Sequence, residues 1–381
     1  MIGATMNKRM EEATRLTRAG KLHEAMALLQ GAIPESSGEE APVQPYQGGN
    51  IFEGTCEVVD EDGTASKSRP TSKTSSSAFG RGRKASAGAF TSGHFSNHVG
   101  SRDYKLYIPS GHKSQALPLV VMLHGCTQNP DDFAAGTNMN QVAEVQQFCV
   151  LYPAQPVSAN NSKCWNWFKA EDQQRDGGEP SILAGMTRQI IDTHGLDASR
   201  VYVAGLSAGA AMATTLAMTY PDLFAAVGVH SGLPHGVAKS LPDALGAMQG
   251  GTGPLGNSGK KPGTEWASEV PAIIFHGDRD ATVHPNNADR VAAQYDASRP
   301  AGGANKPTVE KGKAANGHAY TRTTHHDAAG KPCLEQWKIH GAGHAWSGGS
   351  ARGSYTDPKG PDATQEMLRF FMQHQQANKR Q

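Results

Sequence analysis

Val201-Tyr202-Val203-Ala204-Gly205-Leu206-Ser207-Ala208-Gly209 is a short apolar run closed by a G-x-S-x-G pentapeptide, and a helix-forming stretch follows it. A strand that turns sharply into a helix can hold one serine in a strained backbone conformation, with its hydroxyl pushed out above the sheet. Glycines two residues either side let strand and helix approach without Cβ clashes. Ser207 is therefore the candidate nucleophile. A serine hydroxyl attacks poorly until a base takes its proton, and the base needs a third group to hold its tautomer. The expected chain order is serine, acid, histidine. After the apolar run Ala272–Phe275 comes His276-Gly277-Asp278-Arg279-Asp280. Asp280 is the candidate acid, with Asp278 as the alternative, because Asp278 sits in the tight turn where an aspartate commonly caps its own backbone. Of the 16 histidines, His344 is the best placed base, in a glycine-rich loop after the strand-like Glu335–Ile339. His340 is the runner-up, at the strand end.

A tetrahedral intermediate needs two N–H donors. Ala208 supplies one, as the residue after the nucleophile, and Cys126 the other, from the loop Leu123-His124-Gly125-Cys126-Thr127-Gln128. His124 and His276 each precede a glycine at a strand end and read as structural. Trp165 and Trp167 follow the Phe148–Tyr152 run and read either as cover for the core or as a platform for substrate; with Trp346 beside His344, the favoured reading is that the three wall a shallow aromatic cleft for substrate. His325-His326 lacks an acid or cysteine partner at ligand spacing and reads as solvated loop, so no metal site is expected. Ser258-Gly259-Lys260 lacks the leading glycine and the trailing Ser/Thr of a phosphate loop.

These residues need a scaffold. Continuous apolar runs at Leu117–Leu123, Phe148–Tyr152, Val201–Ala204, Val227–His230 and Ala272–Phe275 suit strands buried on both faces. Helical patterns at Ser181–His194, Ala208–Tyr220 and Asn286–Tyr295 separate the later ones. That alternation specifies an α/β fold with a mostly parallel sheet covered on both faces, and with ligands at the carboxyl ends of its strands. Gly246–Gly263 and Pro300–Gly317 read as polar surface loops. Over residues 1–33 apolar spacing predicts a small helical hairpin. Residues 34–89 read as a Ser/Gly/Pro-rich linker with a basic second half, and 90–381 as the catalytic domain.

The 381 residues carry a net charge of +1, so no global field favours nucleic acid. No apolar stretch is long enough to span a bilayer. The first 33 residues lack the apolar core of a secretory signal, which reads as cytoplasmic unless a leader has been removed. Five cysteines, an odd count without a signal, argue for mostly reduced thiols. Cys126 and Cys164 flank motifs near the site, so a bridge between them stays open.

Together, Leu123–Gln128, Cys164-Trp165, Gly205–Gly209, His276-Gly277 with Asp280, Gly343–Gly349 and Gly360–Ala363 resemble the poly(3-hydroxybutyrate) depolymerase family of esterases, close to the feruloyl and acetyl-xylan esterases. The resemblance covers roughly residues 90 to 376. It implies an α/β-hydrolase fold, a triad of Ser207, Asp280 and His344, and no cofactor or metal. The implied partner is an ester substrate: short hydroxyacyl esters or 3-hydroxybutyrate oligomers, with plant polysaccharide esters of feruloyl or acetyl type as the alternative. Oligomeric state is not readable from these motifs.

Overall fold

The structure, a computed structural model, describes residues 88–111, 115–250, 269–296, 306–315 and 317–376. The hairpin expected over 1–33 and all but the last two residues of the linker expected over 34–89 lie outside them.

The strands are β1 (Ala89–Ser96), β2 (Ser101–Ile108), β3 (Leu119–Leu123), β4 (Cys149–Pro153), β5 (Val201–Leu206), β6 (Ala226–His230), β7 (Ala272–Gly277), β8 (Thr308–Lys313), β9 (Ala319–His326) and β10 (Pro332–Ile339). They form one 10-stranded sheet in the order β1-β2-β4-β3-β5-β6-β7-β10-β9-β8. β4, β3, β5, β6, β7 and β10 run parallel, and antiparallel ribbons flank them at both edges. Two short parallel segments, β11 (Trp346–Ser347) and β12 (Thr356–Asp357), pair separately.

The helices are α1 (Pro130–Thr137), α2 (Met139–Gln146), α3 (Gly178–His194), α4 (Ala208–Thr219), α5 (Leu241–Met248), α6 (Asn286–Asp296) and α7 (Ala363–Phe371). Successive side chains of a strand point to opposite faces, and the core divides accordingly. Leu119, Val121, Leu123, Val203, Val227 and Ile274 pack with α3 and α4. On the other face Val120, Met122, Tyr202, Ala204 and Phe275 pack with α1, α2 and α7. Each Val, Leu or Ile so buried contributes about 1.5–3 kcal/mol relative to exposure. This two-sided burial makes the central strands read as unbroken apolar runs instead of alternating ones.

Two expectations need correction. Pro300–Gly317 is not simply a loop, since its residues 308–313 form β8, an edge strand whose charged side chains face water. His325 and His326 end β9 and are not in a solvated loop. Gly246–Gly263 begins inside α5, and its later residues lie outside the described ones. Among the described residues no helix is long and apolar enough to cross a membrane.

Candidate active site

β5 ends at Leu206 and α4 begins at Ala208, so the backbone reverses at Ser207 alone. Ser207 takes φ 57° and ψ −119°, a region costing a residue with a Cβ about 1–3 kcal/mol. Two close approaches require the flanking glycines. A Cβ on Gly209 would stand 2.1 Å from the Leu123 carbonyl oxygen, and one on Gly205 2.4 Å from the Gly209 backbone. The Ser207 N–H donates to the His230 carbonyl, 2.9 Å away on the neighbouring strand β6.

Asp280 lies in the loop after β7. Its Oδ1 accepts from the N–H groups of Thr282 (2.9 Å) and Val283 (2.8 Å), while Oδ2 accepts from His344 Nδ1 at 2.7 Å. His276 Nε2 donates to the Val283 carbonyl at 2.8 Å and reaches within 3.4 Å of the same Oδ2. Burial alone would raise the Asp280 carboxyl. The charge of His344 and the bonds from His276 and His344 outweigh it and hold the group well below the usual carboxylate range. Asp278 belongs elsewhere: it accepts from His340 Nδ1 at 2.9 Å and from the Gly341 N–H at 2.7 Å, bracing the turn that starts the His344 loop. The loops after β7 and β10 are further tied by Arg279 N–H donating to the Ala342 carbonyl at 3.0 Å.

The loop after β3 carries Cys126. Gln128 is buried beneath it, accepting from the Gly125 N–H at 2.9 Å and donating to Asp132 Oδ2 at 2.9 Å. Cys126 and Cys164 form a disulfide, so the bridge that stayed open is made and the reading of mostly reduced thiols does not hold for this pair. Thr127 N–H adds a bond to the Ser162 carbonyl, 2.7 Å. His124 is buried; Nδ1 faces the Gly125 carbonyl at 2.8 Å and Nε2 accepts from the Gln155 N–H at 3.1 Å. Burial pulls its pKa down to about 4.

Ser207, His344, Cys126 and Ala208 line one cleft, which encloses about 560 Å³ counting its open mouth. Trp167, Leu233, Met248 and Leu206 supply its apolar wall, and Gln128, Thr282 and Tyr355 its polar groups. The expected aromatic wall of three indoles is wrong in two of them. Trp165 is fully buried and donates to the His124 carbonyl at 3.1 Å. Trp346 is buried between His230 and Phe133, donating to Thr364 Oγ1 at 3.0 Å. Both have core partners for ring and N–H, and only Trp167 borders the cleft. Leu233, Met248 and Tyr355 went unnoticed in the sequence. Leu233 had a signal, following the carboxyl end of β6; Tyr355, in a Gly/Ser-rich loop, had none. Among the described residues no three His, Cys, Asp or Glu side chains converge as a metal site.

Residues 102–305 match the family described as Esterase PHB depolymerase. The chain is 34% identical over 259 residues to poly(3-hydroxyalkanoate) depolymerase C of Paucimonas lemoignei, covering 66% of this chain and 60% of that protein. It is 32% identical over 205 residues to acetylxylan esterase A of Emericella nidulans, covering 50% of this chain and 66% of that one. It thus spans less than two thirds of either relative. In fold it is similar to the acetyl xylan esterase from Aspergillus awamori, with TM-score 0.54 and 24% identity over 71% of this chain and 94% of that one.

Proposed function

Because the chain belongs to the Esterase PHB depolymerase family, we propose that it hydrolyses carboxylic esters through an acyl-enzyme on Ser207. The observation that carries this reading is the 2.7 Å contact of His344 with buried Asp280, on a cleft shared with a serine held at positive φ.

Ser207 Oγ attacks the ester carbonyl while His344 Nε2 takes its proton. Asp280 keeps the His344 proton on Nδ1 and stabilises the imidazolium that forms. Negative charge on the former carbonyl oxygen is met by the N–H groups of Cys126 and Ala208. His344 then gives its proton to the departing alkoxide, leaving the acyl group on Ser207. Water, deprotonated by His344, attacks that acyl carbon, and the proton returns to Ser207 as the free acid forms. Each step needs only groups of this chain and water.

The cleft wall is apolar and among its described lining residues there is no Lys or Arg, which favours a neutral acyl group. Short hydroxyacyl esters and 3-hydroxybutyrate oligomers fit this lining, which includes Thr282 and Tyr355. An acetyl ester on a polysaccharide is the second reading, favoured by the likeness to acetylxylan esterase A.

Assays on p-nitrophenyl butyrate, a feruloyl ester, acetylated xylan and 3-hydroxybutyrate oligomers test this. The wild type should cleave at least one, and Ser207→Ala should lose about 10⁴-fold or more. A wild type inert on every ester sinks the activity, and full activity in Ser207→Ala sinks the site.

A further inference from the structure

We propose that His230 is a positioning residue for this reaction, joining the nucleophile's turn to the base's loop. The inference rests on the Ser207–His344 reading above. His230 closes β6, directly between the strand that delivers Ser207 and the strand that leads to Asp280. Its backbone carbonyl accepts the Ser207 N–H at 2.9 Å. Its ring reaches the other way: Nε2 accepts the N–H of Ser347, three residues past His344, at 3.0 Å.

The ring is fully buried and clamped. It stacks on Phe275 at 5.8 Å between centroids (11° between planes) and on Trp346 at 5.1 Å (24°). Phe275 immediately precedes His276, and Trp346 follows His344 by two residues. With Nε2 accepting, the proton sits on Nδ1, which faces Ser231 Oγ at 3.3 Å. An imidazolium would turn a second N–H against that of Ser347. Burial, with the charges of His276 and His344, lowers the His230 pKa to about 3 against the opposing pull of Asp280, so the acceptor persists wherever the base works. Ser347 is itself buried, so no water replaces the bond. The triad members come from separate loops, and His230 ties the far side of the His344 loop, through its ring, to the turn at Ser207, through its carbonyl.

Two variants separate the acceptor from the packing. His230→Phe keeps the stack and leaves the Ser347 N–H without an acceptor; His230→Gln gives up the stack and offers its amide oxygen near the Nε2 position. Kinetics with p-nitrophenyl butyrate are expressed per active site, counted with a phosphonate ester carried to completion. H230F should lose about 10- to 100-fold in kcat, the scale of a misplacement near 1 Å, with KM within about twofold. H230Q should recover to within about fivefold of wild type. In one-dimensional proton NMR, the far-downfield proton of the His344–Asp280 bond should broaden away in H230F and persist in H230Q. Should H230F not fold, H230N takes its place, since its amide stops short of Ser347. Wild-type kcat in H230F, or H230Q falling as far as H230F, overturns the proposal. A wild type inert on esters, or an active S207A, overturns the ester reading instead, and the proton resonance then still decides the role of His230.

Discussion

Asp280 and His344 meet at 2.7 Å with the aspartate side chain wholly removed from solvent. Two residues earlier, Asp278 meets His340 at 2.9 Å with both side chains about a third exposed. The chain thus builds two Asp–His pairs from the same two loops, and of these four residues His344 is the one that lines the cleft. Asp280→Asn should drop kcat/KM by about 10⁴-fold, since an amide no longer selects the His344 tautomer. Asp278→Asn should stay within about threefold. Steady-state kinetics on any cleaved ester decide this, and the reverse ranking would move the acid to Asp278.

Strain at Ser207 gives a stability signature independent of turnover. At φ 57° a Cβ is penalised, and Ala keeps that Cβ where Gly does not. Ser207→Gly should therefore be more stable than Ser207→Ala by about 1 kcal/mol, after the extra chain entropy of glycine is subtracted. Urea midpoints of the two variants measure it. Equal midpoints would mean the turn is unstrained.

The Cys126–Cys164 disulfide closes a 38-residue loop, a constraint on the unfolded chain worth up to about 4 kcal/mol. It also anchors the loop that presents the Cys126 N–H. Replacing both cysteines by alanine should lower stability by a few kcal/mol and kcat by about tenfold, with KM much less affected. A stability loss without a kcat loss would confine the bridge to a structural role.

Acid should act in two windows. His124 has a folded pKa near 4 against the ordinary 6.5, so between those values the unfolded chain binds the additional proton. Its contribution to stability is then lost as pH falls from about 6.5 towards 4, at a slope of up to about 1.4 kcal/mol per pH unit. Asp280 is depressed, so its contribution is complete above its unfolded value near 3.8 and is lost only as pH falls below that. Urea denaturation from pH 7 to 3 should show the first decline, which His230, His235 and His374 share, made shallower by one proton's slope in His124→Asn and the second reduced in Asp280→Asn.

Much of the scaffold was legible because a strand buried on both faces has few compositions open to it. Val201–Ala204 and Ala272–Phe275 are strands for that reason, and the motifs at their carboxyl ends share one rim of the sheet. The edges were harder. β8, Thr-Val-Glu-Lys-Gly-Lys, faces water along its length, so no burial shapes its pattern and it resembles a loop. α1 and α2 were likewise unannounced, being short helices with weak apolar faces. At the site, residues tied to a turn or a strand end could be placed. Indole exposure could not, because Trp165 and Trp346 differ from Trp167 only in what the rest of the chain puts around them. The pairing of Cys126 with Cys164 depends on two loops meeting, which spacing along the chain does not encode.

The absence of Lys and Arg among the described residues of the cleft lining also bears on how turnover would end under the ester reading. Hydrolysis would convert a neutral ester into a carboxylic acid, which is ionised at neutral pH. The carboxylate would then occupy a site with no Lys or Arg among its described lining residues and with the Asp280 anion behind His344. Free short-chain acids should thus inhibit only weakly at neutral pH, and a chain of ester units should not be clogged by the ends it creates.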